Sequence, residues 1–306
     1  MSGDATFLTA EAVVDDGTPV VPPCRSARPA MAVIRISGDD AADFLHGQFS
    51  ADMRALAAGH SVLTAWCSPK GRVLFLPRLL RAASGPYFAL LPANQSASFI
   101  KRLRMFVLRA KVAIEDCSVS HGVLVLDGVD APPRDADVMP ALDGERCWLV
   151  GPRDQLARLW DSLLVPAQGP AAALLTDIAR GQPLLDVALT DQFLPQELNL
   201  DALAGVSFNK GCYPGQEIIA RVKFRGAVKR RVQRIVIATA VAPLPGARLV
   251  SADDALGGTV LLAAAQANGT CAALAVIDAN SGPLYLAATP GASVEVLPLP
   301  YALDGA

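Results

Sequence analysis

From Arg231 onward the chain changes texture, and that change restricts the folds open to it. Short apolar runs at 232–238, 248–251, 259–264, 271–277, 284–287 and 293–297 are separated by Pro, Gly, Asn and Asp. Runs this short, evenly spaced and punctuated by turn residues, specify a small all-β barrel or sandwich. Upstream, strand-like runs alternate with segments of helical period. The first part of the chain therefore reads as a mixed α+β body, with the β domain attached after it.

Within the body, 31–37 predicts a strand (Val33, Ile34 and Ile36 are apolar), and Asp39 or Asp40 caps a short helix through Phe44 and Leu45. The runs 62–66 and 73–80 flank the turn Ser68-Pro69-Lys70-Gly71 as a hairpin, and 87–91 is a further strand. Asn94 or Ser96 starts a helix with Phe99, Leu103 and Phe106 on one face, leading to a strand near 111–115. The stretch 127–143, rich in Pro, Asp and Ala, reads as a linker before a strand at 147–150. Helices follow at 154–164, with Leu156, Leu159, Trp160 and Leu163 in the core, and at 171–180, stopped by Gly181 and Pro183. The expected units are 1–118, 119–226 and 227–306.

At 306 residues the chain exceeds one ordinary core. Hydrophobic residues make up 52%, yet no apolar run approaches the ~18 residues that suggest a membrane span. No membrane partner is expected. The net charge of -2 supplies no global basic field, so direct nucleic-acid binding is not expected either. Basic residues are dense at 101–104, read as a solvated helix face, and at 225–234, where a mixed role is expected. Six scattered cysteines without a Cys-x-x-Cys pair, and no signal-like pattern over 1–11, point to a reducing, cytoplasmic setting. With three histidines and no ligand spacing, no metal site is expected.

Chemistry concentrates at 208–221, Phe-Asn-Lys-Gly-Cys-Tyr-Pro-Gly-Gln-Glu-Ile-Ile-Ala-Arg. Cys212 lies between Lys210 and a predicted helix in which Pro214 suits the first turn and Glu217 suits the positive N-terminus. Ile218, Ile219 and Val222 form its apolar face. A thiol beside an ammonium group and a helix start tends towards the reactive thiolate. Gly211 and Gly215 let backbone approach a bound group. The other five cysteines are expected as small core hydrophobes. Lys210 either lowers the thiol pKa or pairs with a carboxylate such as Glu217; both readings are open.

The string Lys210-Gly211-Cys212-Tyr213-x-Gly215-Gln216-Glu217 resembles the signature of the YgfZ family of folate-binding proteins, relatives of the glycine cleavage T-protein (aminomethyltransferase). The likeness extends to Ile36-Ser37-Gly38-Asp39-Asp40-Ala41, Phe44-Leu45-x-Gly47-Gln48, Cys67-x-Pro69-Lys70-Gly71-Arg72, Gly181-x-Pro183, Leu194-Pro195-Gln196-Glu197-Leu198-Asn199 and Arg225-Gly226 with Lys229-Arg230-Arg231. It implies an α+β fold: a folate-binding body of ferredoxin-like units followed by a C-terminal antiparallel β-barrel.

The resemblance further implies tetrahydrofolate, or a one-carbon derivative, as cofactor. The partners it implies are iron–sulfur client or carrier proteins, with tRNA modification supported indirectly through clients. Cys212 and Lys210 become the reactive pair. Glu197, Gly211, Tyr213, Gly215, Gln216, Glu217, Arg225 and Arg230 become the folate contacts. A carboxylate at 197 can accept the adjacent pterin N–H and amino donors together. Arg225, Lys229, Arg230 or Arg231 would hold the glutamyl tail, unless they form only a solvated linker. A solitary Cys212 cannot hold a stable cluster, so it acts as nucleophile or as transient ligand beside partner groups. The aminomethyltransferases carry acids in the hairpin; here Leu74 and Phe75 stand there, and neither can move a proton. That disfavours aminomethyl or one-carbon transfer, the alternative reading. A direct RNA-binding module using 225–234 is a third.

Overall fold

The computed structural model describes residues 18 and 21–303, apart from 84, 130–132 and 134–136. The stretch 1–11 and the middle of the expected linker lie outside the described residues. The body begins with β1 (Cys24–Ala27), β2 (Met31–Ser37), α1 (Ala41–Gln48), β3 (His60–Leu63), β4 (Trp66–Cys67) and β5 (Val73–Phe75). It continues through β6 (Arg78–Arg81), β7 (Tyr87–Pro92), α2 (Ser96–Arg104), β8 (Ala113–Asp116), β9 (His121–Asp127) and β10 (Met139–Asp143). β11 (Arg146–Pro152), α3 (Arg153–Ser162), β12 (Ala167–Gln168), α4 (Pro170–Ala179) and α5 (Gln216–Arg225) complete it.

Ten of these strands form one sheet in the order β12-β1-β9-β11-β10-β3-β6-β7-β2-β8. Nearly all neighbours are antiparallel; β1–β12 and β10–β3 are parallel. The expected hairpin is present in two tiers. β3 and β6 pair inside the large sheet, while β4 and β5 pair separately and carry the 68–71 turn outward.

Three local expectations need correction. Residues 139–143 are not linker but β10, paired along its length with β11. Pro140 is tolerated because β3 meets β10 at one residue pair, Leu142 with His60, so little of that ladder needs its missing N–H. The run 121–127, not expected as a strand, is β9 in the sheet interior between β1 and β11. Phe106 lies beyond the end of α2 and is half-exposed. Asp40 does occupy the N-cap of α1, but its carboxylate accepts the backbone N–H of Lys111 at 2.7 Å. It thereby ties the strand approach to the helix start.

After α5 the chain forms β13 (Arg230–Ile237), β14 (Arg248–Val250), β15 (Leu256–Ala265), β16 (Cys271–Asp278), β17 (Leu284–Leu286) and β18 (Ser293–Leu297). They close as an antiparallel barrel in the order β13-β16-β15-β14-β17-β18, and closure leaves no strand edge unpaired. All six expected runs are there. Ile235, Leu249, Val260 and Ala273 belong to the core within the barrel. A second cluster crosses to the body, joining Val232, Leu261 and Leu274 to Leu175 and Ile178 of α4 and to Leu198. A division at 118 and 226 is proposed on sequence grounds; the large sheet takes strands from both sides of residue 118, and the barrel strands all follow residue 226. Among the described residues no helix is long and apolar enough to cross a membrane.

Candidate functional site

The 208–217 segment is fixed to the rest of the body at two points. At the first, the Lys210 ammonium donates to the backbone carbonyls of His46, Phe49 (2.6 Å) and Ala51 (3.0 Å), at the end of α1. An ammonium has three donors, and all are taken. This corrects the expectation that Lys210 pairs with a carboxylate such as Glu217: its donors go to backbone. Burial lowers its pKa to about 8, and its Nζ also lies 4.9 Å from the Tyr213 ring centre. Tyr213 is buried, and burial raises its phenol pKa.

The second point is a contact between two glycines. Gly215 is the N-cap of α5, with φ 80°, and a Cβ there would meet Gly71 Cα and Ser68 O at 2.6 Å. Gly71, φ 74°, is the last residue of the hairpin turn. Only residues without a Cβ allow the hairpin tip and the helix start to touch in this way. Pro214 accordingly precedes the helix instead of opening it, and Ile219 is the residue of α5 that is buried. Gln196, itself buried, donates to the Ile219 carbonyl at 2.7 Å.

Between these points Cys212 is exposed, whereas Cys24, Cys67, Cys147 and Cys271 are buried and Cys117 is intermediate. Burial raises the thiol pKa of Cys67, and that of Cys147 to about 11, so those sulfurs stay protonated. Gly211 and Glu217 are exposed beside Cys212, Gln216 is half-buried, and Arg225 is exposed in the last turn of α5.

Glu197 and Arg230 are brought together, with each other. Arg230 Nε and Nη2 donate to Glu197 Oε1 at 2.9 and 2.7 Å, and Leu194 N donates to Oε2 at 2.8 Å. Arg231 places its fork on Asp201, 2.9 Å for each nitrogen, so it is already committed. In the hairpin, Leu74 and Phe75 are buried, and Phe75 stacks on Trp66 at 5.6 Å. Carboxylates that might have replaced the missing acids are engaged: Asp43 with Arg54 at 2.7 Å, Asp191 with the Ser68 hydroxyl at 2.8 Å, and Asp52 with the N–H groups of Arg54 and Ala55. Among the described residues no group of His, Cys, Asp and Glu is placed to hold a metal ion.

A cavity of about 260 Å³ lies between the sheet and α4, away from these residues. Leu63, Leu76, Leu90 and Leu174 supply apolar walls. Its charged end holds Arg28, Arg78, Arg146, Trp148 and Asp177. Asp177 receives Arg28 and Arg146, both at 2.6 Å; Arg146 also meets Asp127 at 2.7 Å, and Arg78 meets Asp143 at 2.8 Å. Arg180 adds a longer contact to Asp127 at 3.6 Å. Four arginines thus face three aspartates. The guanidinium groups of Arg28, Arg78 and Arg146 lie 5.9, 4.7 and 5.7 Å from the Trp148 ring centre. Burial would push the Asp177 carboxyl up, but Arg28 and Arg146 outweigh it and hold the pKa low. The Trp148 indole N–H and Arg28 Nε are buried without an acceptor.

A second cavity, about 470 Å³, runs along the barrel by Lys229, Arg231 and Gln233. Neither cavity counts Cys212 or Glu197 among its lining residues. The charged end of the first cavity was not legible in the sequence, because its residues come from the β1–β2 loop, β6, β11 and α4 and share no spacing. The signal available was arginine and aspartate directly abutting apolar strand residues, as at Arg78, which opens β6, and Asp127, which closes β9.

No protein-family model matches the chain. Curated relatives do. A tRNA-modifying protein YgfZ of Cronobacter sakazakii is 31% identical over 304 residues, covering 90% of this chain and 92% of the relative. The protein of the same name from Klebsiella pneumoniae is 32% identical over 302 residues, with the same coverage. Among solved structures, the glycine cleavage system aminomethyltransferase T of Bartonella henselae matches 90% of this chain and 85% of its own at a TM-score of 0.71. At 16% identity, that likeness shows a common fold.

Proposed function

The chain belongs to the YgfZ family, and from that premise we propose that it is a folate-binding accessory factor in iron–sulfur cluster assembly or repair. Any effect on tRNA modification would then pass through client enzymes. The single observation that carries the reading is Cys212: of six cysteines it alone is exposed, on a segment clamped by Lys210. A thiol kept for packing goes inside. Here the fold stabilises the backbone around the sulfur and leaves the sulfur to solvent.

The cavity between the sheet and α4 supports a folate-class ligand. Its apolar walls suit a planar ring, its surplus arginine suits an anionic tail, and the Trp148 N–H lacks an acceptor. Tetrahydrofolate, when bound, would supply amine nitrogens able to carry a one-carbon unit. This chain would supply Leu63, Leu76, Leu90 and Leu174 to exclude water, and Arg28 or Arg78 to orient a carboxylate. Glu197 lies outside this cavity; it keeps acceptor capacity beyond Arg230 and Leu194 N, so a pterin bound there would occupy a second position and add to the existing bonds. Cys212 would meet a client's sulfur or iron from outside the cavity, as nucleophile or as one ligand among a partner's. Transfer of an aminomethyl group is disfavoured, because Leu74 and Phe75 offer no proton.

Complementation of a deletion strain tests the thiol. Cys212→Ala is expected to lose complementation with its melting temperature unchanged; full rescue would discard the role. Glu197→Ala, titrated with tetrahydrofolate by calorimetry, tests the pterin contact: undiminished heat and affinity would remove Glu197 from the folate contacts.

A further inference from the structure

The loop after α2 presents an apolar and cationic surface, and nothing within the described fold covers it. Met105, Phe106 and Leu108 follow α2 and are 61%, 42% and 86% exposed. Their loop is well held. The N–H groups of Met105, Phe106 and Val107 donate to the carbonyls of Arg102, Leu103 and Arg104, and Val107 and Val112 pack on the core beneath. Three large apolar side chains are therefore presented outward in fixed geometry. Exposed apolar groups scattered singly need no explanation, but a contiguous patch rimmed by charge marks an interaction site.

The rim has one sign. Residues 101–111 contain Lys101, Arg102, Arg104, Arg109 and Lys111 and no acid, in a chain whose net charge is -2. Among the described ion pairs, only Lys111 of these five meets a carboxylate, Asp39 at 3.3 Å. A line of packed side chains joins the loop to the thiol segment through the core. Phe106 meets Trp66 edge-on at 5.8 Å, and Trp66 meets Phe49 at 6.0 Å. The Phe49 carbonyl accepts from Lys210, two residues before Cys212. Four residues before Cys212, Phe208 meets Phe224 at 6.1 Å, and Phe224 is 70% exposed on the cationic last turns of α5.

We propose that this surface docks a partner protein whose facing side is acidic around an apolar centre, and that docking brings the partner's sulfur or iron to Cys212. The proposal rests on the reading of Cys212 given above. The occupant follows from composition and place. Met, Phe and Arg are the residues enriched at protein–protein interfaces. Single-stranded nucleic acid would want a series of stacking rings, and the 101–111 loop offers one half-exposed ring. A lipid surface offers the thiol nothing to react with.

Two captures in cells and one double variant test it. A photo-crosslinking benzoylphenylalanine replaces Leu108, and, separately, cells are treated with the thiol oxidant diamide, which takes the two electrons and two protons released when Cys212 and a partner thiol join, and the mixed disulfides at Cys212 are collected. The expected result is the same acidic protein in both. The variant Met105→Asp/Leu108→Asp is expected to cut the Cys212 mixed disulfide at least tenfold, with melting temperature and tetrahydrofolate titration unchanged. An RNase-sensitive adduct, a lipid adduct, a crosslink within the chain, two different proteins, or an unchanged disulfide yield would overturn the docking surface. A Leu108 crosslink to an acidic protein with no protein captured through Cys212 would sink the thiol reading and leave the docking surface standing.

Discussion

The cavity end around Trp148 and the segment around Cys212 treat charge in opposite ways. In the cavity, arginines and aspartates are buried in alternation, each guanidinium matched to a carboxylate from a distant part of the chain. At the thiol, one half-buried ammonium is matched to three backbone carbonyls, and the thiol is left outside. The difference teaches that the two regions fail differently. Removing a charge from the cavity leaves its partner uncompensated in low dielectric, which is costly. Removing the sulfur at 212 leaves nothing unsatisfied.

The largest expected effect follows directly. Arg146 is fully buried between Asp127 and Asp177, so Arg146→Met should destabilise by roughly 3–5 kcal/mol in urea unfolding. Cys212→Ala should stay within about 0.5 kcal/mol of the parent. Equal losses in the two variants would erase the contrast.

An intermediate effect is expected at Lys210. Lys210→Met leaves three carbonyls without their donor and should cost on the order of 1–3 kcal/mol. Its pH dependence has a definite sign. The pKa is lowered by burial from 10.5 to about 8, so between those values the unfolded chain binds more protons than the folded one. Stability should therefore rise from pH 8 towards pH 10.5 in the parent, and this rise should be missing in Lys210→Met when the two unfolding series are compared.

The smallest expected effect is the acid limb of the cavity. Burial raises the Asp143 and Asp177 carboxyls, but their arginine partners prevail and hold both low. The stability they contribute is present above the ordinary carboxylate pKa and lost as pH falls through their lowered values. Acid unfolding of Asp143→Asn should show a shallower slope below about pH 4 than the parent; an identical slope would mean that the pair with Arg78 is not coupled to folding.

What could be read from the sequence follows from how local each signal is. The six barrel strands were legible because each is bounded by its own Pro, Gly, Asn or Asp. Cys212 was legible because its string is contiguous. β10 was hidden by the Pro and Asp that looked like linker, although Ala141 at its centre is completely buried. The backbone clamp made by Lys210 was not legible because its acceptors are carbonyls at the end of α1, which no side-chain pattern reports. The Arg28–Asp177–Arg146 junction joins the β1–β2 loop, α4 and β11, and only the tertiary fold brings those elements together.

The central claim is that the ligand cavity and the exposed sulfur are separate parts with separate tasks. Calorimetric titration with tetrahydrofolate of the parent, Cys212→Ala and Leu174→Trp tests it most directly, since Leu174 is a half-buried wall residue whose enlargement fills the cavity. The account predicts equal binding by the parent and Cys212→Ala, and loss of binding in Leu174→Trp. Undiminished binding by Leu174→Trp, or no heat from the parent, would contradict it.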